Sequence, residues 1–140
     1  DAVLLLIGDG YLEGDIRNQV MQYGIENKVI FAGAVDNVED YLQAMDLFAF
    51  PTLFEGLPNA LVEAQAAGLK CLCSDRITKE VGITDNIQFL PLDKSQWVNT
   101  LLDRRDGYQR KKVDEQIQSA GYDIRYEIKK LEEIYLGSRL

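Results

Sequence analysis

Asp46-Leu-Phe-Ala-Phe-Pro51-Thr-Leu-Phe-Glu55-Gly-Leu-Pro58-Asn-Ala-Leu-Val-Glu63-Ala-Gln-Ala-Ala-Gly68-Leu-Lys-Cys-Leu-Cys-Ser74 is the stretch on which the fold turns. Asp46 to Phe50 is a short apolar run stopped by Pro51, which predicts a buried strand, because the residue before a proline is held extended. Thr52 to Leu57 reads as a loop. Pro58 suits the opening of a helix, where its missing N–H costs nothing, and the helix runs to Gly68. Leu69 to Ser74 is the next strand. A strand, a helix and a strand joined this closely make one unit of a parallel sheet.

The same alternation extends in both directions. Upstream, Val3 to Ile7 is a strand closed by Gly8-Asp9-Gly10. Leu12, Ile16, Val20 and Tyr23 then recur at helical spacing, with Gly24 as the terminating residue. Lys28 to Ala32 is a second strand ended by Gly33, and Asp36 or Asn37 is placed to cap a short helix running to Met45. Downstream, Asp75 to Gly82 is a loop or short helix, Ile87 to Leu90 a fifth strand, and Asp93 the cap of a helix carrying Trp97, Leu101 and Leu102. The charged run from Arg104 to Lys112 predicts an exposed helix. Asp123 to Leu136 places Ile124, Ile128, Leu131 and Tyr135 on one helical face. Five alternations predict an α/β class: a Rossmann-like parallel sheet with helices on both faces and ligands at the carboxyl ends of its strands. All 140 residues are expected to form one nucleotide-sugar-binding domain.

Composition narrows the chemistry. The net charge of −8 argues against nucleic acid, which needs a basic face. There is no histidine, so Ser–His–Asp and Cys–His nucleophiles and histidine metal sites are excluded. The only cysteines, Cys71 and Cys73, lie two apart on one strand. They face the same way and read as reduced core thiols, in keeping with a cytoplasmic compartment. No apolar run reaches the length of a membrane span, and no signal peptide is visible. The chain opens on strand-like residues directly after Asp1 and Ala2, which leads us to expect a piece of a longer protein.

Between Gly56 and Leu69 the only charged residue is Glu63. It has no charged partner at helical spacing, and Glu55 lies eight positions earlier, just before the helix. The free amides at the start of such a helix attract a diphosphate. Glu63, roughly 8 Å further along the axis, is then placed for ribose hydroxyls and Glu55 for sugar hydroxyls. Each carboxylate accepts two hydroxyl donors. On spacing alone, a solvated Glu55 and a Glu63 on an exposed face are the better account of the pattern. Gly8-Asp9-Gly10-Tyr11-Leu12-Glu13-Gly14 is a loosened dinucleotide fingerprint, but Asp9 and Glu13 put carboxylates where a pyrophosphate must approach.

Glu55, seven intervening residues and Glu63 resemble the paired-glutamate signature of family 4 retaining glycosyltransferases of the GT-B type. The likeness extends to Leu5-Leu6-Ile7-Gly8-Asp9-Gly10, Val29-Ile30-Phe31-Ala32-Gly33, Asp46-Leu47-Phe48-Ala49-Phe50-Pro51 and Ser74-Asp75, in order, over Val3 to Asp75. It implies the carboxy-terminal, donor-binding domain of a two-domain enzyme. That enzyme moves a sugar from a nucleoside diphosphate to an acceptor hydroxyl with retention, without a metal or other cofactor. Glu55 is implied as the catalytic residue, with Gly56, Leu57, Pro58, Asn59 and Glu63 joining it in donor binding. Ala34 and Val35 are the weaker candidates for contacting the base. The acceptor-binding amino-terminal domain and the family's upstream Arg and Lys are absent from this chain, so it is expected to be inactive alone. The segment Asp75-Arg76-Ile77-Thr78-Lys79-Glu80-Val81 departs from the family's usual glycine-containing loop. It matches some members of bacterial surface-polysaccharide pathways, which implies a saccharide or lipid-linked acceptor at the inner face of the membrane. A binding domain without turnover and a NAD-dependent dehydrogenase domain using Gly8, Gly10 and Gly14 are the alternatives.

Overall fold

The computed structural model describes residues 2–104 and 106–137. They form two compact units that divide between Asp40 and Tyr41.

In the first unit, β1 (Leu4–Ile7) and β2 (Val29–Gly33) pair in parallel, with Leu4 opposite Val29 and Leu6 opposite Phe31. Between them lie α1 (Glu13–Tyr23) and a 3-10 turn at Glu26–Lys28. Gly24 ends α1 in the left-handed region at φ 63°. The Ile25 amide then reaches back to the Val20 carbonyl at 3.2 Å, the closing bond of a Schellman motif. Arg17 joins α1 to β2: it pairs with Glu13 at 2.7 Å, and its guanidinium lies 4.0 Å from the centre of the Phe31 ring. α2 (Val38–Ala44) follows, its residues from Tyr41 onward belonging to the second unit. Asn37 precedes it, but its side-chain amide donates to the Asp40 carboxylate at 2.9 Å instead of capping a backbone N–H.

The second unit is built on β3 (Leu47–Phe50), β4 (Lys70–Ser74) and β5 (Ile87–Leu90), all parallel, with β4 in the middle. Its central position explains its composition: Cys71, Leu72, Cys73 and Ser74 are each no more than 1% exposed. α3 (Asn59–Ala66) connects β3 to β4 and packs on both, burying Leu61, Val62, Ala64 and Gln65. α4 (Lys94–Asp103) follows β5. The Asp93 carboxylate caps it, accepting from the Gln96 amide at 2.9 Å, as the sequence predicts. Trp97 of α4 closes the core with Leu72 and Leu90, and its indole N–H is satisfied by the Pro91 carbonyl at 2.9 Å. Parallel strands alternating with helices make the fold Rossmann-like.

One predicted element is corrected. No helix occupies residues 106–113, and α5 (Asp114–Ser119) begins only after them. Gly107 takes φ 71°, which interrupts helical geometry. Tyr108 and Arg110 are instead drawn onto the turn between α3 and β4. The Tyr108 hydroxyl accepts from the Lys70 amide at 2.6 Å and donates to the Gly68 carbonyl at 3.3 Å. α6 (Ile124–Gly137) ends the described chain, and none of its residues is buried. No described helix is long and apolar enough to cross a membrane.

Candidate functional site

The carboxyl ends of β3 and β4 lie side by side, because Phe50 is registered with Cys73. The loop 51–57 leaves from that edge and delivers the chain to α3. A Thr52 hydroxyl bond to the Phe54 carbonyl at 3.3 Å turns the loop, and Leu53 and Phe54 stand 80% and 85% exposed at its tip. Glu55, Gly56 and Leu57 follow, all exposed. A Cβ built on Gly56 would meet nothing within 4 Å, and its φ is ordinary. The chain's own packing therefore does not require a glycine there.

Pro58 is buried and serves as the N-cap, one place earlier than the sequence suggests. Its carbonyl accepts from the amides of Leu61 at 3.0 Å and Val62 at 3.3 Å, so it is already engaged in starting the helix. The first two helical amides, Asn59 and Ala60, have no backbone acceptor among the described residues. They open to solvent together with the exposed side chain of Asn59. The partial positive charge of the helix end is concentrated at such groups.

Glu63 is exposed while its neighbours Val62 and Ala64 are buried. Neither Glu55 nor Glu63 makes an ion pair or a side-chain hydrogen bond among the described residues. Loop, free amides and both carboxylates thus occur on one continuous segment, 52–63, which begins at the carboxyl end of β3 and runs into α3. Ala34 and Val35 belong to the first unit, where they follow β2 immediately, with Ala34 exposed and Val35 half-buried.

The chain's own packing does not require glycine at Gly10 or Gly14 of the first turn. Of that turn's glycines only Gly8 has a left-handed φ, 119°, and Gly10 and Gly14 sit in open space with ordinary backbone angles. Of the basic residues beyond β4, Lys79 rests its ammonium 3.8 Å from the centre of the Phe89 ring, and Arg76 lies 4.0 Å from its neighbour Asp75. Cys71 and Cys73 are free, buried thiols. Burial, reinforced by the neighbouring Cys73, pushes Cys71 up to about 12. Burial pushes Cys73 up to about 11 against the opposing charge of Lys79. Both are protonated and unreactive at neutral pH, as expected of core thiols. No group of three or more Cys, Asp or Glu side chains among the described residues is placed to hold a metal ion.

Two residues that support this segment escaped the sequence reading. Gln65 is fully buried and spends its whole amide on hydrogen bonds, reaching Val81, Ile83 and Thr84 as well as Leu61. Arg110 caps two helices at once. Its guanidinium donates to the Ala67 carbonyl at the end of α3 and to the carbonyls of Leu42, Gln43 and Met45 at the end of α2. Gln65 had a legible signal, a polar residue one helical turn after the apolar Leu61 of its own helix. Arg110 had none, because its acceptors are remote in sequence.

Comparison with known proteins agrees with the fold. The family described as "Glycosyl transferases group 1" matches residues 1–103. The protein named "Putative glycosyltransferase EpsF" of Bacillus subtilis (strain 168) is 33% identical over 138 residues, covering 94% of this chain and 36% of that protein. The UDP-Gal:alpha-D-GlcNAc-diphosphoundecaprenol alpha-1,3-galactosyltransferase of Escherichia coli is 34% identical over 76 residues, 54% of this chain and 20% of that one. Among solved structures, the apo form of the lipopolysaccharide outer core galactosyltransferase WaaB superposes with a TM-score of 0.74 at 22% identity, over 97% of this chain and 41% of that chain. The chain therefore spans about two fifths or less of the proteins it matches.

Proposed function

This chain belongs to the group 1 glycosyl transferases, and on that premise we propose that it is the donor-binding half of a two-domain, retaining enzyme. The enzyme transfers a sugar from a nucleoside diphosphate to an acceptor hydroxyl. The observation that carries the reading is segment 52–63, where two unpartnered, exposed carboxylates bracket the free amides of Asn59 and Ala60.

In this reading the diphosphate lies on the amino end of α3. Its Asn59 and Ala60 amides, with the Asn59 side chain, stabilise the negative charge that grows as the diphosphate departs. Gly56 lets the donor approach the backbone where a side chain would intrude, and Leu57 lines that approach. Glu63 accepts from the ribose hydroxyls. Glu55 accepts from the sugar hydroxyls and orients the anomeric carbon. Charge stabilisation by the helix takes the place of a metal, so transfer is expected to withstand chelation. The chain alone is expected to bind donor without turning it over.

The E. coli relative carries a UDP-sugar donor and a diphosphoundecaprenol-linked acceptor in its name. For this chain we propose a uridine donor first, and a saccharide acceptor on a lipid diphosphate at the cytoplasmic membrane face. The test is calorimetric titration of the full-length protein with UDP, GDP, ADP and NAD, followed by transfer from the matching sugar donor and NMR of the product's anomeric proton. Preference for a nucleoside diphosphate over NAD and an unchanged anomeric configuration are expected. Binding of NAD alone, or an inverted product, would sink the proposal.

A further inference from the structure

We infer that Gln65 is a positioning residue for donor binding: by clamping residues 81–84 from the buried side of α3, it fixes the rotation of α3 and so the aim of Glu63 and of the Asn59 and Ala60 amides. The inference rests on the donor-binding reading of α3 and extends it to a residue that cannot touch the ligand.

Gln65 follows Glu63 by two residues, a turn of about 200° around the helix axis. The fully buried amide and the exposed carboxylate therefore occupy opposite faces, and whatever fixes one aims the other. Leu61, Val62 and Ala64 hold α3 against the sheet, but apolar contact is non-directional and resists a small roll of the helix only weakly. Hydrogen bonds do resist it. Gln65 Nε2 donates out of the helix to the Val81 carbonyl at 2.8 Å, while its second hydrogen is taken up within α3 by the Leu61 carbonyl at 3.1 Å. Its Oε1 accepts from the amides of Ile83 and Thr84 and from the Thr84 hydroxyl, each at 3.1 Å.

The clamped segment is itself anchored. The Thr84 hydroxyl accepts from the Asn86 amide at 3.3 Å, and the Asn86 carbonyl accepts from Cys71 of β4 at 2.8 Å. The network thus runs from α3 through 81–86 into the central strand. Both donor hydrogens and the oxygen of the amide are used. A glutamate lacks the donors and an asparagine lacks the reach. A buried network satisfied this completely is what selects one packing among several of similar apolar energy.

The test measures affinity and thermal unfolding together, by calorimetry on the full-length protein with UDP, GDP and ADP, for wild type, Gln65→Met and Thr84→Val. A change acting only through stability raises the apparent Kd only by the inverse of the folded fraction, so a variant that thermal unfolding shows to be fully folded at the titration temperature keeps the wild-type Kd. A mis-set helix weakens Kd in a fully folded variant. Gln65→Met is expected to raise Kd by roughly tenfold while fully folded at that temperature. Thr84→Val, which removes one of the clamp's contacts, should give a smaller rise of the same kind, and it decides the matter if Gln65→Met does not fold. A rise in Kd no larger than the inverse of the folded fraction, or unchanged Kd in fully folded variants, overturns the inference and leaves the donor-binding reading intact. Failure of wild type to bind any of the three diphosphates removes that reading and this inference with it.

Discussion

Replacing Glu63 with alanine separates binding from folding with opposite signs. The carboxylate is exposed, has no ion pair or side-chain hydrogen bond among the described residues, and sits in the carboxy-terminal half of α3. There the helix presents partial negative charge, which disfavours a carboxylate. Alanine is also the better helix former by a few tenths of a kcal/mol. The substitution should therefore leave stability within about 0.5 kcal/mol, on the favourable side. Donor affinity should move the other way. A charge-assisted bond to the ribose diol contributes about 1.5–3 kcal/mol, which corresponds to a Kd weakened by roughly 10- to 150-fold. The assay is thermal unfolding of the ligand-free full-length protein beside titration with the nucleoside diphosphate that wild type prefers. A wild-type Kd in Glu63→Ala would refute the ribose assignment. A melting temperature lowered by several degrees would refute the claim that the carboxylate is structurally idle.

Glu55→Gln should slow transfer far more than it weakens the free diphosphate, which carries no sugar, whereas Glu63→Gln should weaken diphosphate and intact donor alike. Titrating each variant with both ligands checks this, and equal losses for Glu55→Gln would reverse the polarity assigned to the donor. Arg110→Ala leaves the carbonyls of Leu42, Gln43, Met45 and Ala67 without their shared donor. It should cost about 2–4 kcal/mol in chemical denaturation, with little recovered by Arg110→Lys, because an ammonium cannot span the same acceptors. The thiols supply a pH dependence. With folded values pushed up to about 12 for Cys71 and about 11 for Cys73 from an ordinary 9.0, the unfolded chain ionises first. Their contribution is thus complete below pH 9 and is lost as pH rises towards the folded values. Cys71→Ala should flatten the alkaline fall in stability, and a slope like that of wild type would count against burial as the cause.

β4 was legible because a central parallel strand needs apolar residues on both faces. Leu-Lys-Cys-Leu-Cys-Ser carries that requirement in its composition alone, whereas Asp-Leu-Phe-Ala-Phe forms β3 at the edge of its sheet and none of its residues is fully buried. The helix ends were legible where a residue satisfies the backbone locally, as Gly24 does at its left-handed φ and Asp93 does at the Gln96 amide. The segment 106–113 was not. Its charges suit a solvated helix, and only the carbonyls at the ends of α2 and α3, some 43 to 68 positions away in sequence, give Arg110 a better place. Local propensity lost there to a tertiary partner that no window of sequence contains.

The candidate site divides along the same line. Glu55 and Glu63 stood out because a charge on a small, apolar helix and loop is anomalous locally, and an anomaly is what a ligand contact produces before the ligand is present. Gln65 stood out less, although it is the more constrained residue. Among Ala64, Ala66 and Ala67 it passes for one more neutral position, and its importance lies in Val81, Ile83 and Thr84. Residues that meet a ligand answer to chemistry outside the chain and so violate its internal patterns. Residues that aim them answer to the fold and so conform to those patterns. Hence segment 52–63 offered a candidate site in its letters, while the clamp proposed to orient it required the distances around Gln65.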